Sequence, residues 1–403
     1  MVKIAVLGYG TVGSGVVEVL TTNRESIARK AGEEIDIKYV LDLRDFPGDP
    51  IQEKIVHDYQ VILDDEEVRV VVEVMGGIEP AFTFVKQALM AGKNVATSNK
   101  ELVARHGAEL IAIARENSVN FMFEASVGGG IPIIRPLLQS LTADEIVEIS
   151  GILNGTTNYM LTKMSEQGLA YDIVLKNAQD KGYAERNPAA DVEGYDACRK
   201  IAILASLAYA HQVDFEDIYT EGISKITDID FVYAKKLGLS IKLLAVCKRQ
   251  EDKVLAMVSP MMIGPEHPLF NVNNVFNAIF VKGNMLGDAM FYGRGAGKLP
   301  TASAVVADVV EEIKHIHTNI RINWSREKLE LADMKAAAHR FFVRISGMPE
   351  EKGAQVKALF GDVDMIQVKD GEFGIVTPQM KEKDFDEKAA ALDGMITRIR
   401  GEF

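Results

Sequence analysis

The sequence predicts an α/β protein that begins with a doubly wound parallel sheet of the Rossmann type. An apolar run at 3–7 comes just before glycines 8, 10 and 13, and apolar residues then recur at helical spacing up to Leu20. A second strand–helix–strand pattern occupies 68–97, where Pro80 begins the helix and Gly92 ends it. Strands that alternate with helices in this way build a parallel sheet.

The composition restricts the class of protein. With 403 residues and 47% apolar content, the chain can form two or three domains with packed cores. Its formal net charge of −13, without any basic run, argues against nucleic acids or acidic membrane surfaces as partners. The two cysteines form no CxxC motif, so neither a disulfide framework nor a cysteine metal site is expected. We recognise no leader peptide and no membrane-spanning run, and we expect a cytoplasmic protein.

The glycine-rich turn GYGTVGSG has the spacing of a dinucleotide-binding fingerprint. Gly8 permits a tight turn, Gly10 leaves room for the pyrophosphate, and Gly13 lets the helix pack closely against the strand. The helix N-terminus then presents free N–H groups to phosphate. A glycine turn in some other α/β domain is the alternative. The residues predicted to contact the cofactor are Gly8, Tyr9, Gly10, Thr11, Val12 and Gly13.

The second predicted strand, DIKYVLDL at 36–43, ends beside the residues that would meet the adenosine ribose. An acid at this point, Asp42, favours the 2′-hydroxyl of NAD, whereas an arginine, Arg44, favours the 2′-phosphate of NADP. Asp42 follows the glycines at more than the usual spacing of about 20 residues. Both side chains are also candidates for ordinary solvated loop charges. The sequence therefore leaves the choice between NAD and NADP open.

Charged residues at two places predict a catalytic site. Lys100 directly follows a predicted strand and therefore lies at the edge of the sheet where ligands bind. Further along, Asp196 and Lys200 are four residues apart on one helix face. The nearby acids Glu185 and Asp191 are suited to a cationic substrate. The alternative for Asp196 and Lys200 is an exposed ion pair, with a contribution of about 0.3–0.5 kcal/mol.

Seven segments, spread in order along most of residues 1–320, resemble one protein family. The combination of GILNGTTNYML with DVEGYDACRK is much more specific than the glycine loop. On these segments the chain resembles the homoserine dehydrogenases. The resemblance implies interconversion of L-homoserine and L-aspartate 4-semialdehyde with NAD or NADP, within threonine, methionine and isoleucine biosynthesis. The matching segments are GYGTVGSG at 8–15, EVMGGIEPA at 73–81, TSNKELVA at 97–104, EASVGGGIP at 124–132, GILNGTTNYML at 151–161, GYAERNPAADVEGYDACRK at 182–200 and YGRGAGKLPTASAVVAD at 292–308.

The resemblance also implies roles for individual residues. Lys200 looks like the acid/base for the substrate oxygen, Asp196 would orient that lysine and bind substrate, and Lys100 resembles the second lysine of the site, next to the cofactor. Glu185 and Asp191 would contact the amino-acid end of the substrate. The residues implied to line the same pocket are Gly155, Thr156, Gly182 and Tyr183, and the late glycines 293, 295 and Gly297 would return to the cofactor.

A monovalent cation is a further implication of the resemblance. The segment EASVGGGIP resembles the family's cation loop, which would bind sodium or potassium mostly through backbone oxygens. The residues concerned are Glu124, Val127, Gly129 and Ile131.

Elementary chemistry agrees with a lysine as the acid/base. Hydride transfer to an aldehyde develops negative charge on oxygen, which an ammonium group stabilises and can protonate. Oxidation requires an amine with a lowered pKa, and either burial or a second cation such as Lys100 would lower the pKa of Lys200. Asp196, as a negative neighbour, would instead raise the pKa of Lys200. The sequence does not decide which effect is larger.

The predicted architecture has three parts. Residues 1–130 form the nucleotide domain, to which a helix at 301–320 returns, and 131–298 form the substrate-binding and dimerisation domain. The tail, 335–403, has the β-α-β-β-α-β order of a ferredoxin-like fold and resembles the ACT regulatory module. It has MPEEKGAQ where that module usually has an acidic-Pro-Gly turn, so amino-acid feedback and an assembly role both stay open. We expect a homodimer or homotetramer.

Two other functions fit parts of the pattern. A semialdehyde dehydrogenase that forms a thioester needs an activated cysteine, and neither Cys198 nor Cys247 has that sequence context. A nucleotide-sensing regulatory protein with a degenerate site would have no need of Lys100, Asp196 and Lys200. Catalytic zinc is not expected, because the sequence contains neither an HExxH motif nor paired cysteines.

Overall fold

The N-terminal part of the chain is a parallel sheet, and the computed structural model describes it together with the rest of the 403 residues. Its strands are β1 (Val2–Leu7), β2 (Ile35–Leu41), β3 (Ile55–Val56), β4 (Val68–Glu73), β5 (Asn94–Thr97) and β6 (Phe121–Met122). The six strands lie in the order β3-β2-β1-β4-β5-β6, and every neighbouring pair is parallel. The order reverses between β1 and β4, which opens a crevice at their carboxyl ends. The predicted Rossmann-type sheet is confirmed.

Helices cover both faces of this sheet, because successive strand residues point to opposite sides. Ile4 and Val6 face one cluster of helices, whereas Ala5 and Leu7 face the other. The first cluster contains α1 (Thr11–Thr22), α2 (Arg24–Ala31) and α11 (Lys298–Lys314), and the second contains α3 (Gln60–Leu63), α4 (Ala81–Met90) and α5 (Lys100–Glu116).

Helix α11 differs in extent from the helix predicted at 301–320. It begins at Lys298 and ends at Lys314, and no helix is present from 315 to 320. The chain leaves the helix there because Asn120 holds it in a turn: the Asn120 Nδ2 donates to the carbonyls of His315 and Thr318 at 3.1 and 3.0 Å. Helix α11 packs along α1 of the parallel sheet's first helix cluster.

The second sheet is mixed and is built mainly from the middle of the chain. Its middle strands are β7 (Ile146–Ile152), β8 (Tyr219–Thr220), β9 (Ser240–Gln250), β10 (Lys253–Ile263), β11 (Phe276–Gly283) and β12 (Gly287–Arg294). The strand-like runs predicted near 145–151, 243–249 and 277–283 correspond to β7, β9 and β11, whereas β10 was not predicted. The accompanying helices are α6 (Gly155–Gln167), α7 (Tyr171–Asp180), α8 (Ala189–Val192), α9 (Tyr195–Tyr209) and α10 (Asp228–Leu237).

The tail adds its strands to the same sheet. It contains β13 (Ala338–Ser346), α12 (Pro349–Phe360), β14 (Met365–Lys369), β15 (Glu372–Val376), β16 (Met380–Lys381), α13 (Glu382–Ala390) and β17 (Met395–Glu402). The whole eleven-stranded sheet has the main order β12-β11-β7-β9-β10-β17-β13-β15-β14, with β8 on β10 and β16 on β13. β17 runs parallel to β10 and so joins the tail to the middle part. None of the helices combines the length and apolar character needed to cross a bilayer.

Candidate active site

A cavity of about 580 Å³ lies where the carboxyl edge of the parallel sheet meets the middle part of the chain. Its walls come from the start of α1, the start of α5, the loop before β7, the starts of α6 and α9, and the segment between β12 and α11. This position agrees with the general rule for ligands in open α/β sheets. The predicted residues that line it are Val12, Lys100, Val127, Gly129, Gly155, Thr156, Gly182, Tyr183, Glu185, Asp191, Asp196, Lys200, Gly295 and Gly297.

At the centre of the cavity, Asp196 bridges two lysines from different parts of the chain. Asp196 lies in the first turn of α9, and Lys200 follows one turn later, so their Oδ2 and Nζ atoms are 2.8 Å apart. Lys100, the first residue of α5, places its Nζ 3.0 Å from the other carboxylate oxygen, Oδ1. Lys200 Nζ also donates to the Leu153 carbonyl at 2.8 Å. The sequence spacing predicted the pair on α9, but the contact with Lys100 is tertiary.

The charges of this group stabilise one another. Burial by itself would raise the pKa of Asp196, but Lys200, Lys100 and the Asn154 amide outweigh burial and hold that pKa below its ordinary value. The attraction of Asp196 raises the pKa of Lys100 despite burial. Asp196 is therefore ionised and Lys100 is an ammonium ion at neutral pH.

Asn154 is a site residue that the sequence analysis did not single out. It caps α6, because its Oδ1 accepts a hydrogen bond from the Thr157 N–H at 2.9 Å. Its Nδ2 donates to Asp191 Oδ1 at 2.7 Å and to Asp196 Oδ2 at 2.9 Å. An asparagine just before a predicted helix is a typical N-cap, and that signal could have identified it. The other lining residues that were not predicted are Ser98, Ala125, Ser126, Val275, Arg294, Ala296 and Thr301.

The acidic side of the cavity faces the start of α6. Asp191 is partly buried, and burial raises its pKa, with the Asp196 charge acting in the same direction and the Asn154 hydrogen bond opposing it. The Thr156 hydroxyl donates to the Tyr183 carbonyl at 2.7 Å and so ties α6 to the 182–185 loop. The first N–H groups of α6 at Gly155 and Thr156 have no intrahelical partner by helix geometry.

The glycine turn leaves an open face where a dinucleotide pyrophosphate would lie. A Cβ at Gly13 would lie 1.9 Å from the Gly8 carbonyl oxygen, whereas a Cβ at Gly10 would have no heavy atom within 4 Å. Gly8 has a φ of +97°, in the region that favours glycine. Helix α1 has no side-chain cap, so its first N–H groups are available to an anion. These features fit a dinucleotide. Of this turn only Val12 lines the cavity; Gly8, Tyr9, Gly10, Thr11 and Gly13 lie outside its lining.

Asp42 and Arg44 form one charged pair beside the glycine turn and outside the cavity. Asp42 Oδ2 accepts the Tyr9 N–H at 2.9 Å, and its two carboxylate oxygens also bind Arg44 Nε and Nη2 at 2.9 and 3.0 Å. The Arg44 hydrogen bond is the main reason why the pKa of Asp42 lies below its ordinary value. The guanidinium also lies over the Phe46 ring, with its carbon 5.1 Å from the ring centroid. Both predicted residues therefore lie at the end of β2, next to each other.

The side chain of Glu124 is occupied by hydrogen bonds within the protein. Its carboxylate accepts the N–H groups of Ile133, Ile134 and Arg135 at 2.6, 2.8 and 2.7 Å. Its own N–H donates to Asp308 Oδ2 on α11 at 2.8 Å. No group of three or more His, Cys, Asp and Glu side chains is arranged to hold a metal ion. Val127 and Gly129 line the cavity, while Glu124 and Ile131 lie outside its lining.

The cysteines do not have the surroundings of a nucleophile. Cys198 is buried on α9, and its Sγ lies 3.3 Å from the Phe215 carbonyl. Burial raises the pKa of both thiols, that of Cys247 to about 12. A thioester mechanism needs a thiolate, so the geometry opposes the semialdehyde dehydrogenase alternative.

Two family models that are both named for homoserine dehydrogenase match successive parts of the chain. The family model "Homoserine dehydrogenase, NAD binding domain" matches residues 8–124, and the model "Homoserine dehydrogenase" matches 132–310. The homoserine dehydrogenase of Bacillus subtilis (strain 168) is 44% identical over 326 residues, which cover 80% of this chain and 75% of that protein. The Synechocystis sp. enzyme of the same name is 44% identical over 354 residues, covering 86% and 79%.

Solved structures agree. The crystal structure of a homoserine dehydrogenase from Thiobacillus denitrificans superposes with a TM-score of 0.93 at 37% identity, covering 100% of this chain and 98% of that one. A hyperthermophilic archaeal homoserine dehydrogenase mutant in complex with NADPH gives a TM-score of 0.66 at 29% identity, covering 77% and 97%. The regulatory alternative finds no support in these comparisons. The chain belongs to the homoserine dehydrogenase family, the NAD(P)-dependent oxidoreductases that interconvert L-homoserine and L-aspartate 4-semialdehyde.

Proposed function

We propose that Lys200 is the acid/base of this homoserine dehydrogenase, with Asp196 and Lys100 as its catalytic partners. The observation that carries the proposal is the bridge from Asp196 to both lysines, at 2.8 and 3.0 Å, inside the cavity. An ammonium group has three N–H donors, and Lys200 uses two of them on Asp196 and Leu153. The third is available to the substrate oxygen.

The proton moves between this Nζ and the substrate oxygen. During reduction of the aldehyde, the Lys200 ammonium stabilises the developing negative charge and donates its proton. During oxidation, the neutral amine accepts the proton of the homoserine hydroxyl. Lys100 adds a second positive charge near the same oxygen, and Asp196 keeps both lysines in place. The nicotinamide supplies the hydride chemistry when the cofactor is bound.

The cavity has groups that are complementary to both charged ends of the substrate. Asp191 and Glu185 carry the negative charges suited to the substrate ammonium group. The free N–H groups of Gly155 and Thr156, at the positive end of α6, are suited to its carboxylate. Gly182 and Tyr183 close the pocket beside them. In this proposal the substrate hydroxyl points toward Lys200.

Replacement of Asp191 by Asn tests the substrate orientation. We expect Asp191→Asn to raise the KM for homoserine about tenfold or more, because a charged hydrogen bond to the substrate ammonium is lost. The KM for the cofactor should stay within about twofold, because Asp191 does not contact the glycine turn. Initial rates measured from the absorbance of the reduced nicotinamide give both constants. Asp180→Asn, in an exposed pair with Lys176, is the matched control. An unchanged homoserine KM in Asp191→Asn would contradict this orientation.

The cofactor site is proposed to accept NAD and NADP, with Gly8 to Gly13 at the pyrophosphate and the Asp42–Arg44 pair at the adenosine ribose. In this proposal Asp42 binds the 2′-hydroxyl of NAD, and Arg44 turns toward the 2′-phosphate of NADP. Lys100 and Gly297 border the nicotinamide end. The support is the Asp42 contact with the Tyr9 N–H inside the glycine turn.

Arg44→Ala separates the two cofactors. Since a guanidinium binds phosphate through charged hydrogen bonds, its loss should raise the KM for NADP at least about tenfold. The KM for NAD should change by no more than about twofold, because its ribose carries no phosphate. Arg24→Ala, which removes a similarly exposed arginine paired with Glu34, controls for the change in net charge. Equal effects of Arg44→Ala on the two cofactors would refute the assignment.

The loop at 124–131 is proposed to hold sodium or potassium through backbone oxygens of Glu124, Val127, Gly129 and Ile131. Because the Glu124 carboxylate already accepts three N–H groups, Glu124 would contribute its carbonyl oxygen. The chemistry of such a donor set suits a hard monovalent cation better than zinc.

Three regions of the chain are proposed to have separate roles. We assign 1–130, with α11, to cofactor binding, 131–298 to substrate binding and dimerisation, and 335–403 to an ACT-like module. The tail sheet order β17-β13-β15-β14 supports the ferredoxin-like arrangement of that module. The edge strand β12 exposes Met290 and Tyr292, which supports association of two copies into a homodimer or a homotetramer. The proposed setting is cytoplasmic threonine, methionine and isoleucine biosynthesis.

A further inference from the structure

Glu221 connects the last strand of the chain to the middle part. It follows β8, and its carboxylate accepts hydrogen bonds from Arg398 Nη1 at 2.8 and 3.1 Å and from Arg400 Nη1 at 2.7 Å. The Tyr219 hydroxyl donates to the same carboxylate at 3.0 Å. Arg398 and Arg400 are two residues apart on β17, so their side chains project from the same side of the strand. The Glu221 carboxylate therefore accepts hydrogen bonds from both arginines.

The surroundings make this group rigid. Arg400 is 1% exposed, donates to Ser259 Oγ on β10 at 2.8 Å and is paired with Glu382 of α13. Burial alone would raise the pKa of Glu221, but Arg398 and Arg400 hold it below its ordinary value, so Glu221 remains charged. Replacement of Glu221 would leave Arg398 without its carboxylate partner, whereas Arg400 would keep Glu382.

The backbone next to Glu221 packs directly against the segment that joins two proposed substrate-site residues. Glu221 N–H donates to the Val258 carbonyl at 2.8 Å, and the N–H of Ile223 donates to the Val192 carbonyl at 2.8 Å. Between them, a Cβ at Gly222 would lie 2.2 Å from the Val192 oxygen and 2.4 Å from the Glu193 Cα. There is no room for any side chain at this contact.

The segment thus supported is the turn from Val192 to Gly194, which connects Asp191 to Asp196. Gly194 caps α9 with a φ of +83°. A Cβ at Gly194 would lie 3.1 Å from the Val258 side chain and 3.2 Å from that of Thr220. Residues 220–222 are therefore in tight contact with this turn, which begins one residue after Asp191.

We propose that Glu221, held by Arg398 and Arg400, is a positioning residue that places Asp191 for binding of the substrate. The C-terminal strand β17 thereby determines the affinity of a cavity that it does not itself line. This inference depends on the proposed contact of Asp191 with the substrate ammonium group. Glu221 itself contacts neither substrate nor cofactor.

The test compares Glu221→Gln with Glu372→Gln, which alters another arginine-bound carboxylate where the tail meets the middle part. Glu372 binds Arg344, which in turn bonds Asp230 and Thr227 of the middle part, far along the chain from Val192–Gly194. We expect Glu221→Gln to raise the KM for homoserine about tenfold or more, since a small misplacement of a binding group can have a large effect. The cofactor KM should stay within about twofold, and Glu372→Gln should lower Tm without raising either KM.

Hydrogen exchange provides a second readout that does not depend on activity. Glu221→Gln should speed amide exchange in 191–197, whereas Glu372→Gln should leave that segment unchanged. If Glu221→Gln does not fold, Arg398→Met takes its place, because Arg398 is partly exposed and its loss leaves Arg400 on Glu221. Arg398→Lys, which keeps the charge, should have a homoserine KM between those of Arg398→Met and the wild type.

The outcomes separate this inference from the proposed function. An unchanged homoserine KM in Glu221→Gln, or an equal rise in Glu372→Gln, overturns the positioning role. An unchanged KM in Asp191→Asn, measured in parallel, instead overturns the proposed substrate contact. A rise in Asp191→Asn and Glu221→Gln, but not in Glu372→Gln, supports both.

Discussion

Lys200→Ala is expected to lower kcat for homoserine oxidation by about 10²–10⁴-fold, the usual contribution of general acid–base catalysis. The variant removes the only Nζ that is hydrogen-bonded to both Asp196 and the Leu153 carbonyl. Lys100 stays within 3.0 Å of Asp196, so the buried carboxylate keeps one counter-charge and the protein should remain folded. Rates followed by the absorbance of the reduced nicotinamide, together with a thermal melt by circular dichroism, measure both effects.

Lys176→Ala is the matched control for this prediction. Lys176 also forms an ion pair with an aspartate four residues away on a helix, but that pair is exposed, and neither residue lines the cavity. Its loss should leave kcat within about twofold, as for most surface substitutions. A folded Lys200→Ala protein with nearly normal turnover would show that another group carries the proton.

Gly13→Ala is expected to abolish measurable cofactor binding and to destabilise the protein. The new Cβ would lie 1.9 Å from the Gly8 carbonyl oxygen, and both atoms belong to the turn that would hold the pyrophosphate. The turn must open to relieve this overlap, at a cost of about 1–3 kcal/mol in the free energy of unfolding. Fluorescence titration with the reduced cofactor gives Kd, and urea unfolding gives the stability.

Gly10→Ala distinguishes a ligand clash from a folding defect. Gly10 has an ordinary φ of −85°, and a Cβ there would meet no heavy atom within 4 Å. Its stability should therefore match the wild type within about 0.5 kcal/mol, the usual range for a substitution without contacts. Its cofactor affinity should nevertheless fall, because the methyl group would occupy the space of the pyrophosphate. Normal cofactor affinity in Gly10→Ala would mean that the dinucleotide does not lie over this turn.

The features of this protein that are predictable from sequence are those that depend on interactions between residues close together in the chain. The Rossmann-type sheet was predictable because its signals are local: a strand, glycines at a required spacing, and a helix. The pair of Asp196 with Lys200 was predictable for the same reason, since residues four apart share a helix face. The capping position of Asn154 is local, but its contacts with Asp191 and Asp196 are not, so its place in the site was missed.

Other features of the site depend on residues far apart in the chain. The sequence left open whether burial and like charge, or Asp196, would dominate around the lysines. For Lys100 the attraction of Asp196 is the largest influence and raises the pKa. The end of α11 at Lys314 was also missed, because it depends on Asn120, which lies nearly two hundred residues earlier.

Local spacing and motif order were enough to predict the nucleotide-binding sheet, its glycine turn, the Asp196–Lys200 pair on one helix face and membership of the family. Three features depend on the packing of distant segments: Lys100 contacts Asp196, the Glu124 carboxylate accepts three backbone N–H groups, and β17 pairs with β10. Periodicity sets which side of an element is buried, but it does not specify which distant element will pack there. That choice depends on shape, charge and strand pairing across the whole fold.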